Sequence, residues 1–304
     1  VPVFNEEQSI SEFHKRLIDV VDSLEESTRI IYIDDGSSDN TAEILLNLVQ
    51  NDDRVCIVQL SRNFGHQAAL SAGLDLADAD LIMMLDGDGQ HPPELIPRFI
   101  ELQKGGFDVV QGQRLDTNKT PLGKKLTSKW FYSVINNLGS TKIAEGTSDF
   151  RLITRQVVEA YLRVHDYHRF IRGIIPWLGF SETLLQYTAV ERIAGKSKYS
   201  LSKMLVLAEN AIFSFSITPL RIGLAIGLLF LILALIEAIY VASFWITGKQ
   251  ALLTPGWGSL VFLVLISGGA LMIMTSIIGI YVGQISQQVK NRPLYIIRKI
   301  HKKL

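Results

Sequence analysis

Two kinds of structure are predicted in one chain: an α/β domain on a mostly parallel sheet with helices on both faces, and a two-helix membrane anchor. Three observations predict them. Short apolar runs alternate with helical patterns over roughly the first 115 residues, as in a wound sheet whose strands are joined by helices. Two later stretches are almost free of charge: Ile222–Ile246, where Glu237 is the exception, and Gln250–Val289. Each exceeds the roughly 20 residues a helix needs to cross hydrocarbon. Charge is also divided unevenly. Seven of the 30 Lys and Arg follow Glu237 and none of the 30 Asp and Glu does, leaving 23 bases against 30 acids up to that residue, a net of −7.

With 304 residues, 48% hydrophobic and 20% charged, the chain is neither disordered nor fibrous. Its overall neutrality gives no reason to expect a nucleic acid partner. The lone Cys56 cannot form an internal disulfide, which fits a reducing compartment.

The elements follow in order. Val1–Phe4 reads as a strand entered midway, so residues are expected upstream. Arg29–Ile33, Val55–Leu60, Leu81–Leu85 and Val109–Gly112 read as further strands, separated by helices at Glu6–Leu24, Thr41–Gln50, His66–Leu76 and Pro93–Lys104. One catalytic domain is expected over residues 1–199. From 200 to 216, Leu201, Met204, Leu205, Ala208, Ile212 and Phe215 recur at near-helical spacing beside Lys203, Glu209 and Asn210, suiting a helix lying in a membrane interface. Residues 217–289 are expected to form the two-helix hairpin, broken between Thr247 and Gly258, and 290–304 a basic tail. Bases before the first span and after the second place the domain and the tail in the cytoplasm, on a multi-pass inner or plasma membrane protein. Gly223-x-x-x-Gly227 and Gly279-x-x-x-Gly283 permit close helix approach, and Glu237 suits packing or assembly.

Polar residues gather where strands end. The first strand runs into Asn5-Glu6-Glu7, the second into Asp34-Asp35-Gly36-Ser37-Ser38-Asp39, the third into Ser61-Arg62-Asn63-Phe64-Gly65, and the fourth into Asp86-Gly87-Asp88-Gly89-Gln90-His91. Ligands of wound sheets bind at those ends. In extended chain, Asp86 and Asp88 point the same way, and a hard divalent cation shared with phosphates relieves their repulsion. A calcium loop does not fit, because its fifth, sixth and twelfth positions counted from Asp86 would be Gln90, His91 and Pro97. A phosphate loop of the Gly-x-x-x-x-Gly-Lys type is absent, as is a dinucleotide Gly-x-Gly-x-x-Gly turn after the first strand. His66 and His91 lack ligand spacing to another His and read as capping or packing residues. His165, Asp166, His168, Arg169 and Arg172 form a polar run that reads as a mobile flap.

These segments, with Arg62-Asn63-Phe64-Gly65-His66-Gln67, Gly112-Gln113-Arg114, Ser148-Asp149-Phe150-Arg151 and Gly195-Lys196-Ser197-Lys198, resemble the large inverting glycosyltransferase family with the GT-A fold. With the two spans, the chain resembles the polyprenyl-phosphate glycosyltransferases, bactoprenol glucosyltransferases in particular, relatives of dolichyl-phosphate mannose synthase. The resemblance implies Pro2, Asn5, Glu6, Asp34 and Asp35 along the donor's base and ribose. It implies Asp86, Asp88 and Gln90 around Mg²⁺ or Mn²⁺ on the donor diphosphate, with Arg192 and Lys198 on the same diphosphate. Arg114, Lys124 and Ser128 match positions that hold the acceptor phosphate. Asp149 is the acid near the reacting centre, usually read as the base. A phosphate monoester has a second pKa near 6, so a role in positioning, or in balancing Arg151, stays open.

The expected activity is inverting transfer of a hexose, glucose from UDP-glucose, to undecaprenyl phosphate by a membrane-bound homo-oligomer such as a tetramer. The alternatives are transfer of mannose or an aminosugar from GDP-mannose or another UDP-sugar, and a non-catalytic scaffold that binds nucleotide sugars.

Overall fold

A computed structural model of the chain describes residues 1–115, 146–166, 169–188, 218–248 and 256–303. The expected interfacial helix, Lys124, Ser128, Arg192 and Lys198 lie outside the described residues. The chain divides into two compact units, Val1–Ala211 with Arg292–Leu304, and Ile212–Asn291.

In the first unit the expected alternation is present. It runs β1 (Pro2–Val3), α1 (Ile10–Val21), β2 (Ile30–Asp34), α2 (Thr41–Asn51), β3 (Val55–Leu60), α3 (His66–Leu76) and β4 (Leu81–Met84). A 3₁₀ turn at Pro93–Leu95 leads into α4 (Ile96–Lys104), followed by β5 (Val109–Arg114). Helix α1 shows why such segments fold as they do. Ile10, Phe13, Leu17, Val20 and Val21 recur on one face and all are buried, each such side chain contributing about 1.5–3 kcal/mol on leaving water.

Beyond β5 come β6 (Thr147–Thr154), α5 (Arg155–Leu162), α6 (Ile171–Trp177) and β7 (Glu182–Tyr187). The sheet is less parallel than the alternation suggested. One four-stranded sheet has the order β1-β2-β3 and then the C-terminal strand β8 (Ile297–Lys302), the other β4-β6-β5-β7. β1, β2 and β3 are parallel and β8 is antiparallel to β3. β6 runs antiparallel to both β4 and β5, whereas β7 is parallel to β5. Alternation of elements carries no information on direction, and the charged Asp149 and Arg151 hid β6 from a reading by apolar runs. The basic tail is likewise a strand in part: its Ile297–Lys302 segment pairs along β3, with His301 opposite Ile57.

The two sheets share one core. Val3, Tyr32 and Ile57 of the first pack with Val110, Phe150 and Leu152 of the second and with Leu85 just after β4, under Phe13 of α1 and Phe99 of α4. At the junction, a Cβ on Gly87 would lie 2.7 Å from Val3 Cγ1, so any larger residue would force Val3 to shift where the chain leaving β4 passes β1.

The second unit holds α7 (Thr218–Ile246) and α8 (Trp257–Val289). Among the described residues, one segment is long and apolar enough to cross a membrane, Ile266–Val289, and none of it is buried. The helices meet at Gly223, where an added Cβ would overlap the Met274 side chain. Gly223 thus allows the close approach expected of it, while nothing lies within 4 Å of such a Cβ at Gly227, Gly279 or Gly283 among the described residues.

Candidate functional site

Antiparallel register builds the site. Met84 pairs with Arg151, so continuing that ladder two residues brings Asp86, just past the end of β4, opposite Asp149 near the start of β6. The exits of β1, β2 and β3 lie at the same sheet end because those strands are parallel.

Loops at this end are zipped together by side chain to backbone bonds. Asn5 sits in the left-handed region at φ 52°, which Asn tolerates better than most residues. Its Oδ1 accepts the Ser38 N–H at 2.8 Å, and Ser37 Oγ accepts the Asn5 N–H at 3.0 Å. The Glu6 carboxylate accepts the Ser9 hydroxyl at 2.7 Å, and Thr41 Oγ1 accepts the Glu6 N–H at 2.8 Å. Asp34 closes its own turn by accepting the Ser37 N–H at 2.9 Å. Asp35 reaches across to the next loop, accepting the Phe64 N–H at 2.7 Å and the Gly65 N–H at 2.9 Å. Burial raises the Asp35 carboxyl above its ordinary value, although both backbone donors oppose that. Pro2 is buried in β1 beside Ile33. Asn5, Glu6, Asp34 and Asp35 therefore form one continuous rim, held by groups on neighbouring loops, with Pro2 in the strand that leads into it.

The Asp86–Asp88 loop lies next in the rim. Asp86 Oδ1 is buried and has no hydrogen-bond partner among the described residues. His91 supports the loop from beneath: its Nδ1 accepts the Asp86 N–H at 3.0 Å, and its ring stacks on Phe150 with centroids 4.8 Å apart. The same nitrogen lies 3.6 Å from Asp86 Oδ2. His91 is the packing residue expected. Asp88 accepts the Gln90 N–H at 3.0 Å and the Gln90 side-chain amide at 2.6 Å, while Gln90 Oε1 accepts Arg114 Nη1 at 3.3 Å. Gln90, expected as a third metal ligand, thus faces Arg114 with the one atom suited to a metal. No cluster of three or more His, Cys, Asp or Glu is arranged around a metal position among the described residues. A magnesium-type cation needs no such cage, since one or two carboxylates plus substrate phosphates hold it. An orphaned buried carboxylate oxygen two residues from a second carboxylate fits that requirement.

Behind the loop lies a buried charged cluster. Asp149, 1% exposed, accepts Arg172 Nη2 at 2.7 Å and Arg172 Nε at 3.1 Å, a bidentate pair. Its Oδ2 also accepts His66 Nε2 at 3.1 Å and Gln67 Nε2 at 3.2 Å, and Arg151 approaches within 3.8 Å. Burial alone would raise the Asp149 carboxyl. The Arg172 charge and the bonds from His66 and Arg172 outweigh it and hold the group well below the usual carboxylate range. His66 also stands 3.5 Å from Asp86 Oδ1. Burial opposes protonation of that ring, but the Asp86 and Asp149 carboxylates prevail and raise it above its ordinary value. Arg151 is fully buried with Nε and Nη1 unpartnered among the described residues, and burial lowers it to about 10.

Of the residues expected in the site, the structure brings together Pro2, Asn5, Glu6, Asp34, Asp35, Asp86, Asp88, Gln90, Arg114 and Asp149 along one sheet end. It also adds three. His66, read as a cap or packing residue, bridges two carboxylates, and Gln67 bonds to one of them. Arg172, read as part of a mobile flap, stands in the first turn of α6 and grips Asp149. The His66-Gln67 pair was visible in the sequence, but the Asp149 that both contact lies more than 80 positions away, beyond the reach of spacing rules.

Comparison with known proteins adds a second line of information. Residues 1–162 match the family model described as Glycosyl transferase family 2. Over 302 residues the chain is 38% identical to a Bacillus subtilis (strain 168) protein named uncharacterized glycosyltransferase YkcC, covering 98% of this chain and 92% of that one. Over 304 residues it is 38% identical to the SfII prophage-derived bactoprenol glucosyl transferase of Shigella flexneri, covering 99% and 97%. The structure of the mannosyltransferase PcManGT from Pyrobaculum calidifontis, solved with GDP-Man and Mn²⁺, is similar with a TM-score of 0.49 at 16% identity, over 95% of this chain and 85% of that one.

Proposed function

Because the chain belongs to glycosyl transferase family 2 and is a glycosyltransferase, we propose that it transfers glucose from UDP-glucose to a polyprenyl phosphate such as undecaprenyl phosphate. The observation that carries this reading is the extent of the similarity. The family model ends at residue 162, whereas the match to the bactoprenol glucosyl transferase covers 99% of the chain. The shared sequence thus includes both long apolar helices, which suit an acceptor carried in a membrane, and the C-terminal strand.

In this reading α7 and α8 form a two-helix hairpin in the inner or plasma membrane, with the catalytic unit and the C-terminus in the cytoplasm. The glycine faces at Gly227, Gly279 and Gly283 leave room for a second copy of the chain, in a homo-oligomer such as a tetramer. Pro2, Asn5, Glu6, Asp34 and Asp35 line the nucleoside. Asp86 and Asp88 hold Mg²⁺ or Mn²⁺, which when bound supplies Lewis-acid neutralisation of charge on the leaving diphosphate. Gln90 fixes Asp88 and links it to Arg114, which with Lys124 and Ser128 receives the acceptor phosphate. Arg192 and Lys198 face the donor diphosphate. An acceptor phosphate oxygen attacks the anomeric carbon from the side opposite the diphosphate. The bond from carbon to the departing UDP oxygen breaks, and the configuration inverts. At neutral pH most phosphate monoesters are already dianions, so the attacking oxygen has no proton to lose. Acceleration then comes mainly from holding the two phosphates in line and from charges already in place.

The test is a panel of radiolabelled nucleotide sugars given to the purified full chain with undecaprenyl phosphate and Mn²⁺. UDP-glucose is expected to pass label to the lipid phase with release of one UDP per sugar. Label arriving from GDP-mannose or a UDP-aminosugar instead would replace glucose as the transferred sugar. No lipid label from any donor would overturn the proposal.

A further inference from the structure

We propose that Arg172 is a phosphate-binding residue of the reaction centre, and that Asp149 is the positioning residue that holds it rather than a proton acceptor. This inference rests on the transferase reading above and deepens it.

The Asp149 oxygens are already engaged. Oδ2 accepts from three donors, Arg172 Nη2, His66 Nε2 and Gln67 Nε2, at 2.7, 3.1 and 3.2 Å. An ionised carboxylate has about four acceptor sites over its two oxygens, so three donors saturate this one. Oδ1 accepts Arg172 Nε at 3.1 Å and faces Arg151 at 3.8 Å. With the carboxylate only 1% exposed, an incoming hydroxyl or phosphate has no approach to it. A catalytic base also works best with a pKa near the operating pH, and this carboxyl is displaced the other way.

Arg172 is in turn held from two sides. Two of its five N–H donors form the fork on Asp149. The helix that carries it is pinned from the other side, because Gln67 Oε1 accepts the Ile171 N–H at 2.9 Å. Gln67 therefore grips both Asp149 and the first residue of α6. The Arg172 side chain is nevertheless 23% exposed. A planar guanidinium fixed by a buried carboxylate, with part of its surface open, is the arrangement that suits bidentate recognition of a phosphate.

Arg172 also stands close to the Asp86–Asp88 loop. His66 Nε2 lies 3.1 Å from Asp149 and 3.5 Å from Asp86, so a single imidazole separates the fork from the orphaned Asp86 oxygen. The phosphate that Arg172 meets is therefore at the reaction centre, either the donor diphosphate or the acceptor phosphate. Both present the same oxyanion chemistry.

The experiment is a double-mutant cycle on the full-length protein in detergent, using Arg172→Ala, Asp149→Asn and the double variant. Transfer from UDP-glucose to undecaprenyl phosphate is measured with Mn²⁺, and UDP binding by calorimetry without acceptor. Each single change is expected to lower transfer about 10²-fold, as removal of one preorganised donor does. The double variant should be no worse than the worse single one, because the two residues act as a unit. A raised KM for undecaprenyl phosphate with UDP affinity unchanged assigns the fork to the acceptor, and weakened UDP binding assigns it to the donor. Losses that multiply, or an Arg172→Ala protein within threefold of the unmodified chain, would overturn the inference. If Arg172→Ala melts below the assay temperature, Arg172→Lys decides. It keeps the charge without the fork and is expected to lose about tenfold or more, so unimpaired transfer would refute the proposal. Should the unmodified chain transfer no sugar to lipid, the transferase reading itself fails, a result distinct from any of these.

Discussion

Replacing Asp86 and Asp88 together by Ala is expected to lower UDP release in the presence of undecaprenyl phosphate by about 10³-fold or more. A bound metal supplies several kcal/mol of transition-state charge stabilisation, and each 1.4 kcal/mol is a factor of about ten in rate. What makes the result informative is that the Asp86 carboxylate meets His66 and His91 only at 3.5 and 3.6 Å, beyond ordinary hydrogen-bond length. Its Oδ1 has no hydrogen-bond partner among the described residues, and the bond that orders this turn comes from the Asp86 backbone N–H to His91. Among its contacts, Asp88 gives up those to the Gln90 N–H and side-chain amide, each of about 1.5–3 kcal/mol at most when the acceptor is charged, in a loop at the sheet rim. The doubly substituted protein should therefore remain folded by circular dichroism while turnover disappears. Turnover at the original rate would remove the metal from Asp86 and Asp88.

The Asp149→Ala protein is expected to show the opposite balance, a large loss of stability along with the loss of activity. Removing one partner of a buried ion pair typically costs about 3–5 kcal/mol because the other charge is left uncompensated. Here two guanidinium groups are left, Arg172 and the fully buried Arg151. For a catalytic unit of this size, a fall in melting temperature on the order of 10 °C follows. The pH dependence has a definite sign. The folded carboxyl is held below its unfolded value, so its contribution is complete above the ordinary carboxylate range near pH 4 and is lost as pH falls through the lower folded value. Melting curves of the original and substituted proteins should thus converge only on strong acidification. An Asp149→Ala protein as stable as the original at pH 7 would show that the cluster does not contribute to stability as argued.

These two carboxylates illustrate what the sequence made legible. Asp86-Gly87-Asp88 could be placed in advance because β4 is a plain apolar run ending in glycines and acids, and the strand-end rule needs nothing more. The helices and strands from β1 to β5 followed from periodicity for the same reason. Asp149 could be singled out only through the resemblance, since β6 alternates charged and apolar residues while lying buried. Its partners were less accessible still. His66, Gln67 and Arg172 come from two helices brought together by the fold, and local pattern gives an imidazole at a helix start the look of a cap. The pairing of β8 with β3 joins segments about 240 residues apart. A reading by composition saw only basic residues there, whereas the alternating chain of Ile297–Lys302 completes a sheet edge.

The claim on which the account turns is that a divalent ion at the Asp86–Asp88 rim is required to move sugar onto lipid phosphate. Its most direct test removes the ion from the unaltered protein. After treatment with a chelator and exchange into metal-free detergent buffer, the protein is given UDP-glucose and undecaprenyl phosphate, and lipid-borne label is followed as Mn²⁺ is restored. The account predicts no label before addition and a saturable return of transfer as the ion is titrated in. Transfer at the full initial rate by protein shown to be metal-free would contradict it.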